Sequence, residues 1–145
     1  MEELFELRTA IEEQRYQDAL ILLGAIEEMS REDKVHKIDS FSIILLLYLI
    51  KQEAQQKTTR SWELFIYNSI RHIQKINKCR KSGGYYIAAE EIQEILVEAY
   101  PAALKAATLE TFEGIHTKEQ LVQKVDKDKI IQQAFLLIQS ELKDE

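Results

Sequence analysis

An all-α fold is predicted by the composition of this chain and by the spacing of its apolar residues. The 145 residues include one Pro and four Gly, and Glu, Gln, Lys, Leu, Ile and Ala are abundant, which favours helix over sheet. Apolar residues recur at three- and four-residue steps, and no stretch alternates for long enough to form a sheet. We therefore expect one domain over 1–145, a compact bundle of about six or seven helices.

The N-terminal region is predicted to be a helical hairpin over about 2–29. Its first helix runs from Glu2 to about Gln14, the joint lies at 15–18, and the second helix ends near Met29. The hairpin has the form of a superhelical repeat unit, but no spacing of about 34 residues recurs later, so a repeat array is rejected. Ser30 with Asp33 has the pattern of an N-cap, which predicts a new helix from residue 31.

The run Phe41–Ile50 is the most apolar part of the chain, and Ser42 is its one polar residue. Ten helical residues rise about 15 Å, roughly half the thickness of a bilayer core, so we expect no membrane span. The helix over about 31–55 is amphipathic at first and then apolar nearly all round, which predicts contact with other helices on several sides.

The segment 60–80 is predicted to be a helix with an apolar side and a basic side. Thr58, Thr59 or Ser61 could cap its start. One face carries Trp62, Phe65, Ile66, Ser69, Ile70, Ile73 and Ile76. At 100° per residue the opposite face carries Leu64, Tyr67, Arg71, Lys75 and Lys78. With the preceding helix it forms a central pair over about 31–80.

The remaining helices are predicted from turn residues. Gly83 and Gly84 can adopt positive φ, so the basic helix should end near Arg80. A helix over about 88–112 contains Pro101, and we favour a kink there over a break because no other turn residue accompanies the proline. Gly114 ends that helix. C-terminal helices follow over about 117–142, capped by Thr117 and then by Asp126 or Asp128.

The charge distribution singles out one candidate surface. The net charge is −6, yet residues 57–81 carry seven basic side chains against Glu63, which gives +6 and leaves −12 for the rest. Such polarity can attract an anionic partner or the acidic part of another copy. The plain alternative is a solvated helix face whose charges pair with neighbouring acidic helices. The candidate partner-binding residues are Tyr67, Arg71, Lys75, Lys78, Arg80 and Lys81.

Enzymatic chemistry finds no support in the sequence. Glycine occurs only at 24, 83, 84 and 114, which excludes the P-loop and the dinucleotide fingerprint. Cys79 lies beside basic residues that favour its thiolate, but no base can be identified for it. We therefore expect a non-enzymatic protein with no cofactor, and we identify no small-molecule substrate. The single cysteine and the acidic N-terminus indicate a cytoplasmic protein without a secretory signal.

Three function classes remain open. The leading hypothesis is a protein-interaction module or homo-oligomer, with the basic face or the 82–87 loop as contact surface. The second is nucleic-acid binding by the basic face of helix 60–80, where Tyr67 could stack on a base between the phosphate contacts. The third is a metal-binding helical bundle, for which Glu113 with His116 and Asp33 with His36 have helical ligand spacing. Both of these pairs are more typical of solvent-exposed side chains.

Three short motifs, in order, resemble a known family. They are Ala25-Ile-Glu-Glu-Met29, then Leu47-Tyr-Leu-Ile-Lys51, then Arg60-Ser61-Trp62 followed by Ile66 and Arg71. Together they resemble the bacterial family called domain of unknown function twenty-nine, particularly its cyanobacterial members, over about residues 16–112 and onward into the C-terminal helices. The resemblance implies an all-helical domain and no established activity, cofactor or catalytic residue. Gln52, where an aromatic residue is commoner, and the short N-terminal helix depart from the family pattern.

Overall fold

Six helices and no strand are present in the part of the chain that the computed structural model describes, residues 2–78, 83–110 and 118–140. The helices are α1 (Glu2–Glu12), α2 (Tyr16–Gln55), α3 (Arg60–Asn77), α4 (Ala89–Glu110), α5 (Lys118–Lys124) and α6 (Lys127–Gln139). The predicted all-α class without a sheet is confirmed. None of the described helices is long and apolar enough to cross a membrane.

The described residues form two compact units, 2–35 and 36–140, and the division falls within α2. Each unit is described separately below. The single domain over 1–145 remains a prediction from the sequence.

In the N-terminal unit, α1 ends two residues earlier than the sequence predicted. Gln14 has φ 63°, and the backbone N–H groups of Gln14 and Arg15 donate to the carbonyls of Ile11 (3.1 Å) and Ala10 (2.8 Å). These two bonds form a Schellman motif, which usually has glycine at the left-handed position. Because glutamine occupies that position here, no glycine signals the end of α1 at Glu12.

The predicted helix boundary at Ser30 is wrong, since α2 runs without interruption from Tyr16 to Gln55. Ser30 does not cap a helix; its hydroxyl accepts a hydrogen bond from Lys34 Nζ at 3.2 Å. The residues on both sides of Ser30 are mostly good helix formers, and neither glycine nor proline stands near it. A capping side chain in such a run does not stop the helix.

In the C-terminal unit, most of the apolar part of α2 is buried, although Ile44 is 37% exposed. Leu45, Leu46 and Ile50 are fully buried, and Leu49 is nearly so. The rings of Phe41 and His72 stack at 4.6 Å between centroids, and those of Tyr48 and Phe65 at 4.9 Å. Since residue numbers rise along α2 while those of its partners fall along α3, the two helices are antiparallel.

The ends of α3 are fixed by side-chain hydrogen bonds. Thr59 is the N-cap, as one of the predicted candidates, and its hydroxyl accepts from the N–H of Trp62 at 3.1 Å. The helix ends at Asn77, three residues before the predicted end. The Asn77 side chain is buried, donates to the Ile87 carbonyl at 3.0 Å and accepts from the Ile87 N–H at 2.7 Å. Lys78 then turns to extended backbone and forms an isolated antiparallel bridge with Tyr85.

The helix α4 continues through Pro101, so the alternative of a break at this residue is wrong. Pro101 is exposed, and eight residues of α4 are buried, which holds the helix in place on both sides of the proline. α4 packs against α5 and α6, and α3 packs against α6. Asp126, one of the two predicted candidates, caps α6 by accepting from the N–H groups of Asp128 and Lys129. The predicted helix end at Gly114 and the predicted helix cap at Thr117 lie outside the described residues.

We expect Asn77→Ala to lower the free energy of unfolding by about 2–4 kcal/mol, because it leaves a buried N–H and a buried carbonyl of Ile87 without their partner. Urea denaturation followed by circular dichroism measures this loss. Asn68→Ala is the matched control, since Asn68 lies exposed on the same helix and its replacement should change stability by no more than about 0.5 kcal/mol. Equal effects at the two positions would contradict the role given to Asn77.

We expect Ser42→Ala to raise the free energy of unfolding by about 1 kcal/mol. Ser42 is fully buried, and its Oγ has no hydrogen-bond partner among the described residues. Alanine removes this unsatisfied group and favours helix. In the control Ser40→Ala, an exposed hydroxyl that donates to the His36 carbonyl is lost, so the gain should be smaller. Thermal denaturation of the two variants checks the order.

Candidate functional site

The described part of the predicted basic face forms one exposed row along α3 and its C-cap residue Lys78. Tyr67, Arg71, Lys75 and Lys78 are all exposed. The opposite side of the helix is buried at Ser69, Ile70 and Ile73. The remaining two candidates, Arg80 and Lys81, lie outside the described residues. We call the exposed set Tyr67, Arg71, Lys75 and Lys78 the basic row; binding by these residues is still a prediction.

The cations of the basic row have no carboxylate partner within the described ranges. Ion pairs there join Arg8 to Glu12, Arg15 to Glu13 and Asp18, and Lys129 to Glu53. None of them includes a residue of α3. Within these ranges the charges of the basic row are therefore solvated, as the plain alternative expects, but the pairing with acidic helices that it also expects is not seen.

An exposed acidic row lies along the first half of α4. Glu90, Glu94 and Glu98 are exposed at four-residue intervals, and each is free of ion pairs with other described residues. Val97 is exposed beside them. We call Glu90, Glu94 and Glu98 the acidic row.

A cluster of aromatic rings holds a lysine where α2 meets α3. Lys51 Nζ lies 5.1 Å from the ring centroid of Tyr48 and 4.8 Å from that of Trp62. The two ring centroids are 6.5 Å apart. Lys57 Nζ also lies over the Trp62 ring, 5.9 Å from its centroid. Such cation–π contacts attach the ammonium group of Lys51 to both helices and help to fix their register.

Trp62 and Phe65 are less buried than the sequence predicted. Trp62 is half-buried, and 44% of Phe65 is exposed although its ring stacks on Tyr48. The inner face of α3 is rotated toward Asn77, which the apolar pattern could not include because asparagine is polar. The sequence therefore predicted the helix correctly, but the buried face is rotated relative to the predicted apolar face.

The Tyr48 hydroxyl is not suited to act as a base in this cluster. Burial, together with the negative charge of Glu110, raises the pKa of Tyr48 above its usual value near 10. The hydroxyl therefore stays protonated at neutral pH, and the cluster offers apolar ring faces and one cation rather than a nucleophile.

A cavity of about 560 Å³ lies between the end of α3, the 85–89 segment and the end of α6. Its lining includes Gln74, whose Nε2 donates to the carbonyl of Ile138 at 2.9 Å and also to that of Ser140. Lys78 and Ser140, which also line it, each directly precede residues outside the described ranges. We assign no ligand to this cavity.

Within the described residues, the candidate metal ligands do not come together. Over 2–78, 83–110 and 118–140, no group of three or more His, Cys, Asp or Glu side chains is placed to hold a metal ion. Asp33 and His36 are exposed, and His72 is exposed beside its stacking partner Phe41. Cys79 and the pair Glu113 and His116 lie outside those ranges.

The N-terminal unit exposes a further set of apolar side chains. Within it only Ala10 and Ala19 are buried, whereas its large apolar residues are mostly exposed, among them Leu4, Phe5, Leu20 and Ile21. No row of charge accompanies them that would define a partner.

These features define an all-α protein with an exposed basic row on one helix and an acidic row on another. The family model described as Domain of unknown function DUF29 matches residues 10–136, and the chain belongs to this family. No curated protein and no solved structure matches the chain. The family recognised from three short motifs is therefore confirmed, while the cyanobacterial subgroup remains a prediction.

Two of those motifs meet in space. Tyr48 and Lys51 belong to the second motif and Trp62 to the third, and the cation–π cluster joins them. The sequence presented them as separate signals. The spacing of Tyr48 and Lys51, three residues apart on one helix face, was the available sign that both could contact one residue of α3.

We expect Lys51→Gln to lower the free energy of unfolding by about 0.5–1 kcal/mol, since it removes an ammonium group held between two rings. Lys57→Gln is the control and should cost less, because Lys57 approaches one ring at a longer distance. Trp62 is the only tryptophan, so urea denaturation followed by its fluorescence reports on this cluster. Equal losses in the two variants would show that the cluster does not hold Lys51 specifically.

Proposed function

We propose that this chain is a non-enzymatic protein-interaction module and that the outer face of α3 is its contact surface. The observation that carries the proposal is the exposure of the basic row on a helix whose other side is buried. The cations of this row are not paired with any carboxylate in the described ranges. A cytoplasmic location, inferred from the sequence, belongs to the same proposal.

The composition of this face suits a protein partner. Leu64 and Tyr67 are 56% and 39% exposed, respectively, and lie on the same side of α3 as Arg71. Tyrosine and arginine are enriched in protein interfaces and often supply a large share of the binding energy. Charges at the rim mainly raise the association rate and select the partner. The mixture of apolar and basic groups therefore supports binding of an acidic protein surface.

Nucleic acid is the second candidate, since three cations spaced along one helix with a tyrosine between turns could contact phosphates and one base. The net charge of −6 and the acidic row on α4 oppose this candidate, because both repel a polyanion. No observation favours the metal-binding bundle over these two.

We expect the double variant R71E/K75E to lose the protein partners that the wild-type chain retains. Reversing two charges turns attraction for an acidic surface into repulsion. The measurement is affinity purification of the tagged chain from its source cell at about 150 mM salt, where the screening length is about 8 Å. Nuclease treatment of half of each sample separates protein partners from those bridged by nucleic acid.

The control R8E/K124E carries the same change in net charge on exposed residues that belong to other helices than α3. It should retain the partners, since the Arg8–Glu12 pair that it breaks is exposed and contributes little. Recovery of the same partners with R71E/K75E as with the wild type would contradict the proposal. Loss of all partners after nuclease treatment would favour the nucleic-acid alternative.

A further inference from the structure

The basic row on α3 and the acidic row on α4 match each other in spacing. Arg71 and Lys78 are seven residues apart, a rise of about 10.5 Å, and Glu90 and Glu98 are eight apart, a rise of about 12 Å. Arg71 and Lys75 lie on one face of α3 and Lys78 is its C-cap, so the basic row has three cations. The acidic row has three anions on one face of α4. Helices placed side by side with this spacing can align three pairs of opposite charge at once.

In an antiparallel arrangement of the two rows, the other exposed residues on the two helix faces also lie opposite each other. With Lys78 opposite Glu90 and Arg71 opposite Glu98, the alignment continues to place Tyr67 opposite Pro101. Leu64 then faces the next turn of α4, where Lys105 can lay its aliphatic stem. In a parallel arrangement, by contrast, Tyr67 would extend beyond the start of α4 at Ala89 and would have no partner helix.

We propose that the chain binds a second copy of itself, with the basic row of α3 from one copy lying antiparallel against the acidic row of α4 from the other. This rests on the proposed function and names its partner. Charge complementarity identifies the occupant, because the same chain carries both rows. All six charged side chains are exposed and make no ion pair with any described residue.

Apolar contacts provide the affinity that exposed ion pairs do not. Exposed ion pairs contribute little to affinity on their own. Leu64 and Tyr67 on α3 and Val97 on α4 are each between 39% and 56% exposed, and all three lie within the two faces that would be covered. The charges therefore set the direction and register of the helices, and the apolar groups favour the contact itself.

The proposal is tested with purified full-length chain by sedimentation velocity and light scattering over a range of concentrations. The wild type should have at least twice the monomer mass of 17.0 kDa at the highest concentrations. R71E/K75E leaves acidic groups on both faces, and E94K/E98K leaves basic groups on both. Each variant alone should associate at least about tenfold more weakly than the wild type, because like charges then face each other.

Mixing the two variants gives the sharpest result. The changed α3 face of R71E/K75E complements the changed α4 face of E94K/E98K, and the unchanged faces also complement each other. The mixture should therefore recover an assembly of wild-type mass, although neither variant forms it alone. The controls R8E/K124E and E28K/E119K change exposed charges elsewhere and should associate like the wild type. Circular dichroism verifies that every variant retains its helices.

A wild type that is monomeric at every concentration would overturn this inference. So would a mixture of the two variants that stays monomeric while both variants are folded and the wild type assembles. If the purified chain is monomeric but R71E/K75E still loses partners in the affinity purification, the second-copy inference fails and the proposed function stands. If the partners are retained by R71E/K75E, the proposed function fails as well.

Discussion

The C-terminal unit depends on the burial of one helical run that is apolar on all sides. Leu45, Leu46 and Ile50 are fully buried although they point in different directions around α2. Each such side chain gains about 1.5–3 kcal/mol on leaving water, so the run is stable only when other elements surround it. The helix α3 covers part of this run in an antiparallel orientation, and the ring contacts of Tyr48 and the cation–π contacts of Lys51 refine its register.

The orientation of α3 follows from that contact, and the exposed charges follow from the orientation. A helix that buries Ile70 and Ile73 against its neighbours must present the residues about half a turn away to solvent. Arg71 and Lys75 occupy those positions. The candidate surface is therefore a direct consequence of core packing, and the same logic along α4, with its eight buried residues, places Glu94 and Glu98 outside.

The sequence predicted the helical class and the two sides of α3, and its candidate caps included Thr59 and Asp126, because each of these features depends on residues that are close in the chain. It failed where a distant or unusual contact decides the outcome. Asn77 ends α3 through its bonds to Ile87, ten residues away, and Gln14 ends α1 in a conformation more typical of glycine. Ser30 has the chemistry of a cap but no reason to act as one inside a continuous helix.

The charge rows affect the stability of the folded chain in two opposite ways. Lys75 in the last turn of α3 and Glu90 in the first turn of α4 interact favourably with the helix dipoles. Like charges four residues apart, such as Arg71 with Lys75 and Glu94 with Glu98, repel each other and lower helix stability by about 0.2–0.5 kcal/mol per pair. A surface of the opposite sign relieves this repulsion, and the summed field of each row steers and orients the encounter. The proposed association therefore accounts for the like-charge spacing that folding alone disfavours.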